Sequence, residues 1–241
     1  MSLNVSEKLI VALDVTTLDE AAELVDGLGD TVRTYKVGTR LFTRWGPEAL
    51  NLVKDRGHKV FLDLKFHDIP NTVAGACEAA AEVGTDMLTI HTFGGFEMME
   101  AVVKIMWGRE KAKRPTLLGV TLLTSLNEAF LRDFIGATER TIEEEVLLLA
   151  RLAQSAGLDG VVASPHEVEA VRRQCGDEFI IVTPGVRPKG QDVGDQVRVR
   201  TPGDAIAAGA DYIVVGRPII MADNPKAAAE EILREMEEAL R

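Results

Sequence analysis

Cysteine is scarce in this chain. The two present, Cys77 and Cys175, fall in different predicted helices. That excludes a disulfide framework and leaves no close cysteine pair for zinc. Basic excess is missing too: 27 Lys plus Arg stand against 38 Asp plus Glu, a formal net charge of −11. A nucleic-acid surface wants a basic stripe, so no nucleic-acid partner is expected. An acidic protein can still hold a small anion on a few local cations. No uninterrupted apolar run reaches the ~20 residues of a membrane helix, so no membrane partner is expected either. Residues 1–7 lack a basic region followed by an apolar run, so no signal peptide is read there and the cytoplasm is the expected compartment.

What the chain does have is a core. At 241 residues and 46% hydrophobic it suits one large α/β domain. Short β-rich runs recur at 9–14, 32–37, 60–65, 87–91, 116–122, 160–163, 179–183 and 212–215. Each is nearly continuous in apolar residues and bounded by Gly, Pro or Asp, as parallel strands buried on both faces are. Helical patterns lie between them. The stretch 18–28 carries Asp19 and Glu20 in its first turn, where the helix dipole favours acids. The stretch 47–56 opens on a proline, and 71–83 is Ala-rich with Gly84 as its stop. The stretches 97–107, 141–156, 165–174, 202–208 and 225–240 complete the set. Gly57, Gly84, Gly157 and Gly209 each sit shortly before a strand. Eight strands, each followed by a helix, predict a (β/α)8 TIM barrel in a single domain over 1–241. An open doubly wound sheet would want a Gly-rich first turn, and the first turn here is Asp14-Val15-Thr16-Thr17.

Barrel chemistry sits at the C-terminal ends of the strands. Those ends carry Asp14, Lys36, Asp63 with Lys65, His91, Thr124, Ser164, the run Thr183-Pro184-Gly185-Val186-Arg187, and Gly216-Arg217. That is more polarity than core packing requires. The densest stretch is Phe61-Leu62-Asp63-Leu64-Lys65-Phe66-His67-Asp68-Ile69-Pro70-Asn71-Thr72. Asp63 and Lys65, two apart on a strand, leave the same face, while Leu62, Leu64 and Phe66 leave the other. Asp68 leaves that row, just before a proline that marks a loop. A structural ion pair and a charged reaction centre both fit this window.

The last two strand ends read as an anion site, because barrels often hold phosphate on the loops after strands seven and eight. Arg217 supplies a charged fork and Gly216 lets backbone N–H groups approach. Gln196 follows a loop, 188–195, that holds Gly190 and Gly194 and could close over a ligand. His67 and His91 near Asp63 make a metal site imaginable, but no His-x-His or His-Glu-x-x-His spacing appears. His58 and His166 are read as surface and helix-start residues. Ser164 and Ser125 lack a His–Asp partner pattern.

The run Asp63-Leu-Lys65-Phe-His-Asp68-Ile-Pro-Asn-Thr72 resembles the signature of the orotidine 5′-phosphate decarboxylase family. The likeness extends along almost the whole chain, through Ala12-Leu13-Asp14, Lys36-Val37-Gly38, Val120-Thr-Leu-Leu-Thr124-Ser, Thr183-Pro-Gly185-Val-Arg187, Asp195-Gln196-Val-Arg198-Val and Val215-Gly216-Arg217. A wider group of phosphate-sugar barrels shares only the Asp-x-Lys-x-x-Asp core. A metal-dependent keto-sugar-phosphate decarboxylase or hexulose-phosphate synthase of that group is the alternative.

The resemblance implies release of CO2 from orotidine 5′-phosphate to give uridine 5′-phosphate, a step of pyrimidine biosynthesis, with no metal or organic cofactor. It makes Lys65 the acid that protonates C6 of the pyrimidine, and Asp63 the neighbour of the departing carboxylate that helps keep Lys65 charged. Lys36 completes the charge array and, with Asp14, contacts the ribose. Thr124 contacts the base. Arg187, Gln196, Gly216 and Arg217 hold the phosphate. Asp68 and Thr72 reach into a neighbouring subunit's site, so a homodimer is implied.

Overall fold

In the computed structural model, which describes residues 5–110, 113–136, 139–188 and 200–241, eight parallel strands close into a barrel in sequence order. They are β1 (Leu9–Ala12), β2 (Thr34–Gly38), β3 (Lys59–Phe66), β4 (Met87–His91), β5 (Thr116–Val120), β6 (Gly160–Val162), β7 (Ile180–Thr183) and β8 (Tyr212–Val215). The ring closes where Leu9, Ile10 and Val11 of β1 pair with Ile213, Val214 and Val215 of β8. The expected TIM barrel is therefore the observed architecture.

The two faces of the strands explain their near-continuous hydrophobicity. One face fills the barrel with Ile10, Ala12, Phe61, Met87, Leu118, Val182 and Val214. The other packs outward in a larger core with the helices, through residues such as Val11, Leu62, Leu88, Leu117 and Ile213. Period two then fixes the mouth. Phe61 points inward, so Asp63 and Lys65 do as well. Met87 points inward, so Thr89 and His91 do.

Helices follow each strand, and local chemistry starts and stops them. Leu18–Leu28 and Ile142–Ser155 both begin with reciprocal capping boxes, Thr17 with Glu20 and Thr141 with Glu144. Pro70–Val83 starts on its proline and ends at Gly84 with φ +85°. The connection after β2 differs from expectation. It holds two helices, Thr39–Trp45 and Pro47–Lys54, because Gly46 at φ +53° breaks the chain between them. The stretch after β6 becomes helical only at Val168–Cys175. After β5, Glu128–Phe130 and a π-helical turn, Leu131–Ile135, precede the main helix. The chain finishes in Pro225–Ala239, whose Ala229, Ile232 and Met236 are buried. Among the described residues no helix is long and apolar enough to cross a membrane.

Strands one and five end earlier than their apolar runs. β1 stops at Ala12 and β5 at Val120, so Asp14 and Thr124 stand in the loops beyond rather than on the ladders. Leu13 still donates its N–H to Lys36 O at 3.0 Å, which keeps the chain against β2 up to Asp14.

Candidate active site

At the C-terminal mouth lies a cavity of about 870 Å3, within the size range of small-molecule sites. Asp14, Lys36, Asp63, Lys65, Thr124, Arg187, Gly216 and Arg217 all line it. Residues from seven of the eight strand ends meet there, with Ser164 after β6 among them. Asp68 and Thr72 do not line this cavity. Both are exposed, Asp68 in the bend after β3 and Thr72 in the first turn of Pro70–Val83. Gln196 lies outside the described residues, as do Gly190 and Gly194.

The centre of the site is Asp63, only 8% exposed. Lys65 Nζ sits 2.9 Å from both of its carboxylate oxygens. Lys36 Nζ lies 3.5 Å from Asp63 Oδ2 and 3.5 Å from Asp14 Oδ1. The row therefore alternates in sign: Asp14, Lys36, Asp63, Lys65. Burial raises the cost of charging Asp63. Lys36, then Lys65, then the hydrogen bonds from Lys65 and Thr89 outweigh that cost and hold its carboxyl below the usual carboxylate range. Gly38 leaves the room this needs. A Cβ there would stand 3.0 Å from Lys36 Nζ.

Lys65 is held in an unusual backbone. Its φ is +53°, the left-handed region, and among the described residues it is the one non-glycine so placed. Such a conformation costs a side-chain-bearing residue ~1–3 kcal/mol and persists where the surroundings impose it. The cause is visible in the sheet. Leu62 pairs with Leu88, yet the next β3–β4 partners are Phe66 and Ile90. Four residues on β3 thus match two on β4. The excess is even, so Asp63 and Lys65 keep the inward face while Lys65 is pushed out of strand geometry.

Two residues that sequence reasoning passed over complete the centre. Thr89 is fully buried; its hydroxyl accepts the Lys65 N–H at 2.9 Å and donates to Asp63 Oδ1 at 3.0 Å. The signal was a threonine at an inward position of an apolar strand. Arg40, after β2, lines the same cavity as a further cation; its only mark in sequence is its nearness to Lys36.

His91 stacks on His67 with ring centroids 5.5 Å apart, and its Nδ1 accepts the Phe93 N–H at 3.4 Å. Burial, then the neighbouring His67 and Lys65, push His91 down to about 4. Among the described residues no group of three His, Cys, Asp or Glu side chains is arranged to hold a metal ion. His58, read as a surface residue, is instead half-buried and packs edge-on against Tyr35 at 5.2 Å. The apolar surface of β2 and the helix before β3 draws it in.

Comparison with known proteins places this geometry. The family model for "Orotidine 5′-phosphate decarboxylase / HUMPS family" matches residues 7–232. A protein of Moorella thermoacetica named orotidine 5′-phosphate decarboxylase is 51% identical over 240 residues, covering 98% of this chain and 94% of its own length. One of the same name from Syntrophotalea carbinolica is 51% identical over 244 residues, covering 100% of this chain and 99% of its own. Among solved structures, orotidine 5′-phosphate decarboxylase from Lactobacillus acidophilus superposes with a TM-score of 0.82 at 38% identity, covering 95% of this chain and 99% of that one.

Proposed function

This chain belongs to the orotidine 5′-phosphate decarboxylase / HUMPS family, and from that premise we propose that it releases CO2 from orotidine 5′-phosphate to give uridine 5′-phosphate, with Lys65 as proton donor to C6. It is a carboxy-lyase of pyrimidine biosynthesis. The bond between C6 and the carboxylate carbon breaks, its electron pair stays on C6, and CO2 departs. A proton from the Lys65 ammonium fills the position left behind, and the neutral amine regains its proton from solvent.

One observation carries the assignment of Lys65: its Nζ lies 2.9 Å from both oxygens of a buried carboxylate, on the wall of the cavity. An ammonium so fixed needs little reorganisation as charge develops in front of it. Asp63 occupies the side from which a substrate carboxylate would leave. Lys36 and Asp14 serve the ribose hydroxyls, and Thr124 the base. Arg187, Gly216 and Arg217, together with Gln196, take the phosphate.

Magnitude decides how much Lys65 can do alone. Enzymatic rate enhancements correspond to ~8–23 kcal/mol, and an unassisted carbon–carbon cleavage belongs toward the upper end. One preorganised donor supplies ~3–4 kcal/mol. The remainder must come from binding energy at the phosphate and ribose that is expressed in the transition state. Cations at Arg187 and Arg217, far from the reacting carbon, therefore serve the chemical step as well as binding.

Asp68 and Thr72 belong to the site of a second subunit in this reading, and the protein acts as a homodimer. Their exposure outside the cavity supports it, as does the bare Ile69 between them, 67% exposed. The reaction needs neither metal nor organic cofactor. The test follows absorbance of orotidine 5′-phosphate with purified protein and added chelator. The expected result is turnover that chelator leaves unchanged. Absence of turnover, or its loss on chelation, would reject the reading.

A further inference from the structure

The hydroxyl of Thr89 touches two members of the charge array at once, and the direction of both bonds is fixed by chemistry. A backbone N–H can only donate, so Thr89 Oγ1 accepts from Lys65 at 2.9 Å. An ionised carboxylate can only accept, so the one hydroxyl hydrogen goes to Asp63 Oδ1 at 3.0 Å. Its one donor hydrogen is thereby spent, and the side chain is fully buried.

Both bonds sit where the sheet cannot supply a substitute. The β3–β4 ladder passes from Leu62–Leu88 directly to Phe66–Ile90, and Lys65 falls within the gap at φ +53°. A strand residue would find its backbone partner on the neighbouring strand; Lys65 finds a side chain.

We propose that Thr89 is a positioning residue for the decarboxylation: it holds Lys65 in its left-handed backbone and orients the Asp63 carboxylate against the Lys65 ammonium. The inference rests on Lys65 being the proton donor. Thr89 itself stands behind the reacting groups and acts only through them.

Two substitutions test it. Thr89→Val keeps the shape and removes both hydrogen bonds, whereas Thr89→Ser keeps the hydroxyl. Thr89→Val is expected to lower kcat about 10–100-fold, less than the ~10²–10³-fold cost of losing a donor that touches the reacting charge itself, with KM for orotidine 5′-phosphate changed less than about threefold. Thr89→Ser should recover kcat to within about threefold of the parent. A purely packing role predicts the opposite order, with Thr89→Val close to the parent and Thr89→Ser, which loses the methyl group, impaired. If Thr89→Val does not fold, Thr89→Cys, similar in size and a poor hydrogen-bonding group, carries the same expectation. Crystal structures of both variants supply a readout that needs no activity. Lys65 should leave positive φ, or its Nζ should leave Asp63, in Thr89→Val but not in Thr89→Ser. Unchanged kcat in Thr89→Val, equal loss in both variants, or an undisturbed Lys65 in the valine structure would overturn the proposal. A parent protein inert toward orotidine 5′-phosphate would instead count against the decarboxylase reading, and the crystal structures would still decide the role of Thr89.

Discussion

The floor of the barrel and its mouth both pair carboxylates with cations, but with different partners. At the floor, Asp86, Asp159 and Asp211 precede β4, β6 and β8. Each accepts a backbone N–H from the strand before: Val60 at 2.7 Å, Leu117 at 2.8 Å and Ile181 at 2.8 Å. Asp159 also binds Arg114 at 2.8 Å, and Asp211 binds Arg172 at 2.6 Å. Arg172 spends its remaining donors on the carbonyls of Gly176, Asp177, Phe179 and Gly209. The loops that deliver these acids turn at Gly84, Gly157 and Gly209, with φ of +85°, +89° and +105°. Those pairs tie one connection to the next. At the mouth, Asp63 is shared between two ammonium groups that face a cavity. A pair that spends its capacity on the backbone holds the fold together; a pair that keeps its cations toward open space is available to a ligand.

That contrast can be broken by substitution at either end. Lys65→Ala should produce the largest effect on rate, lowering kcat by ~10³–10⁴-fold, as expected for a proton donor, while Lys36 stays beside Asp63 to offset part of the lost pairing. A kcat within tenfold of the parent would erase the distinction. Arg217→Ala should lower kcat/KM about 100-fold, and part of that loss should appear in kcat; steady-state kinetics separate the two. Asp211→Ala should do the reverse. Arg172 and the Ile181 N–H lose their shared acceptor, so unfolding free energy should drop by ~2–4 kcal/mol, while kcat of the folded fraction stays within twofold. Urea titration paired with an activity assay reads both.

The smallest effect concerns pH. His91 titrates near 4 in the fold and near 6.5 in an unfolded chain. Between those values the unfolded state binds the proton first, so stability is complete above about 6.5 and is lost as pH falls toward 4. After allowance for solvent screening the loss is ~1–3 kcal/mol. Urea midpoints at pH 7 and pH 5 should converge in His91→Gln; an unchanged gap would show that another group carries the slope.

Much of this was legible in the chain. Apolar runs bounded by Gly, Pro and Asp located all eight strands, because a strand covered on both faces leaves little else for a sequence to be. Period two placed Asp63 and Lys65 on one face. What escaped depended on contacts between strands. Nothing local to Lys65 announces a positive φ, since the cause is a register jump against β4. Thr89 looked like one more β-former in Met87–His91, and its value comes from what stands opposite. Asp14 and Thr124 read as strand ends in the sequence, but β5 stops level with the ends of β4 and β6, at His91 and Val162, and β1 loses its β8 partner after Val11. The break at Gly46 was hidden by helical pattern on both of its sides. Even the choice between structural pair and reaction centre, open in the 61–72 window, needed the floor pairs for contrast.

The most direct measurement is exchange of the C6 hydrogen of uridine 5′-phosphate for deuterium in D2O, followed by proton NMR. Run backward, the proposed step lets the Lys65 amine remove that hydrogen, so the parent protein should accelerate exchange and Lys65→Ala should not. Equal exchange in the two proteins would contradict the account.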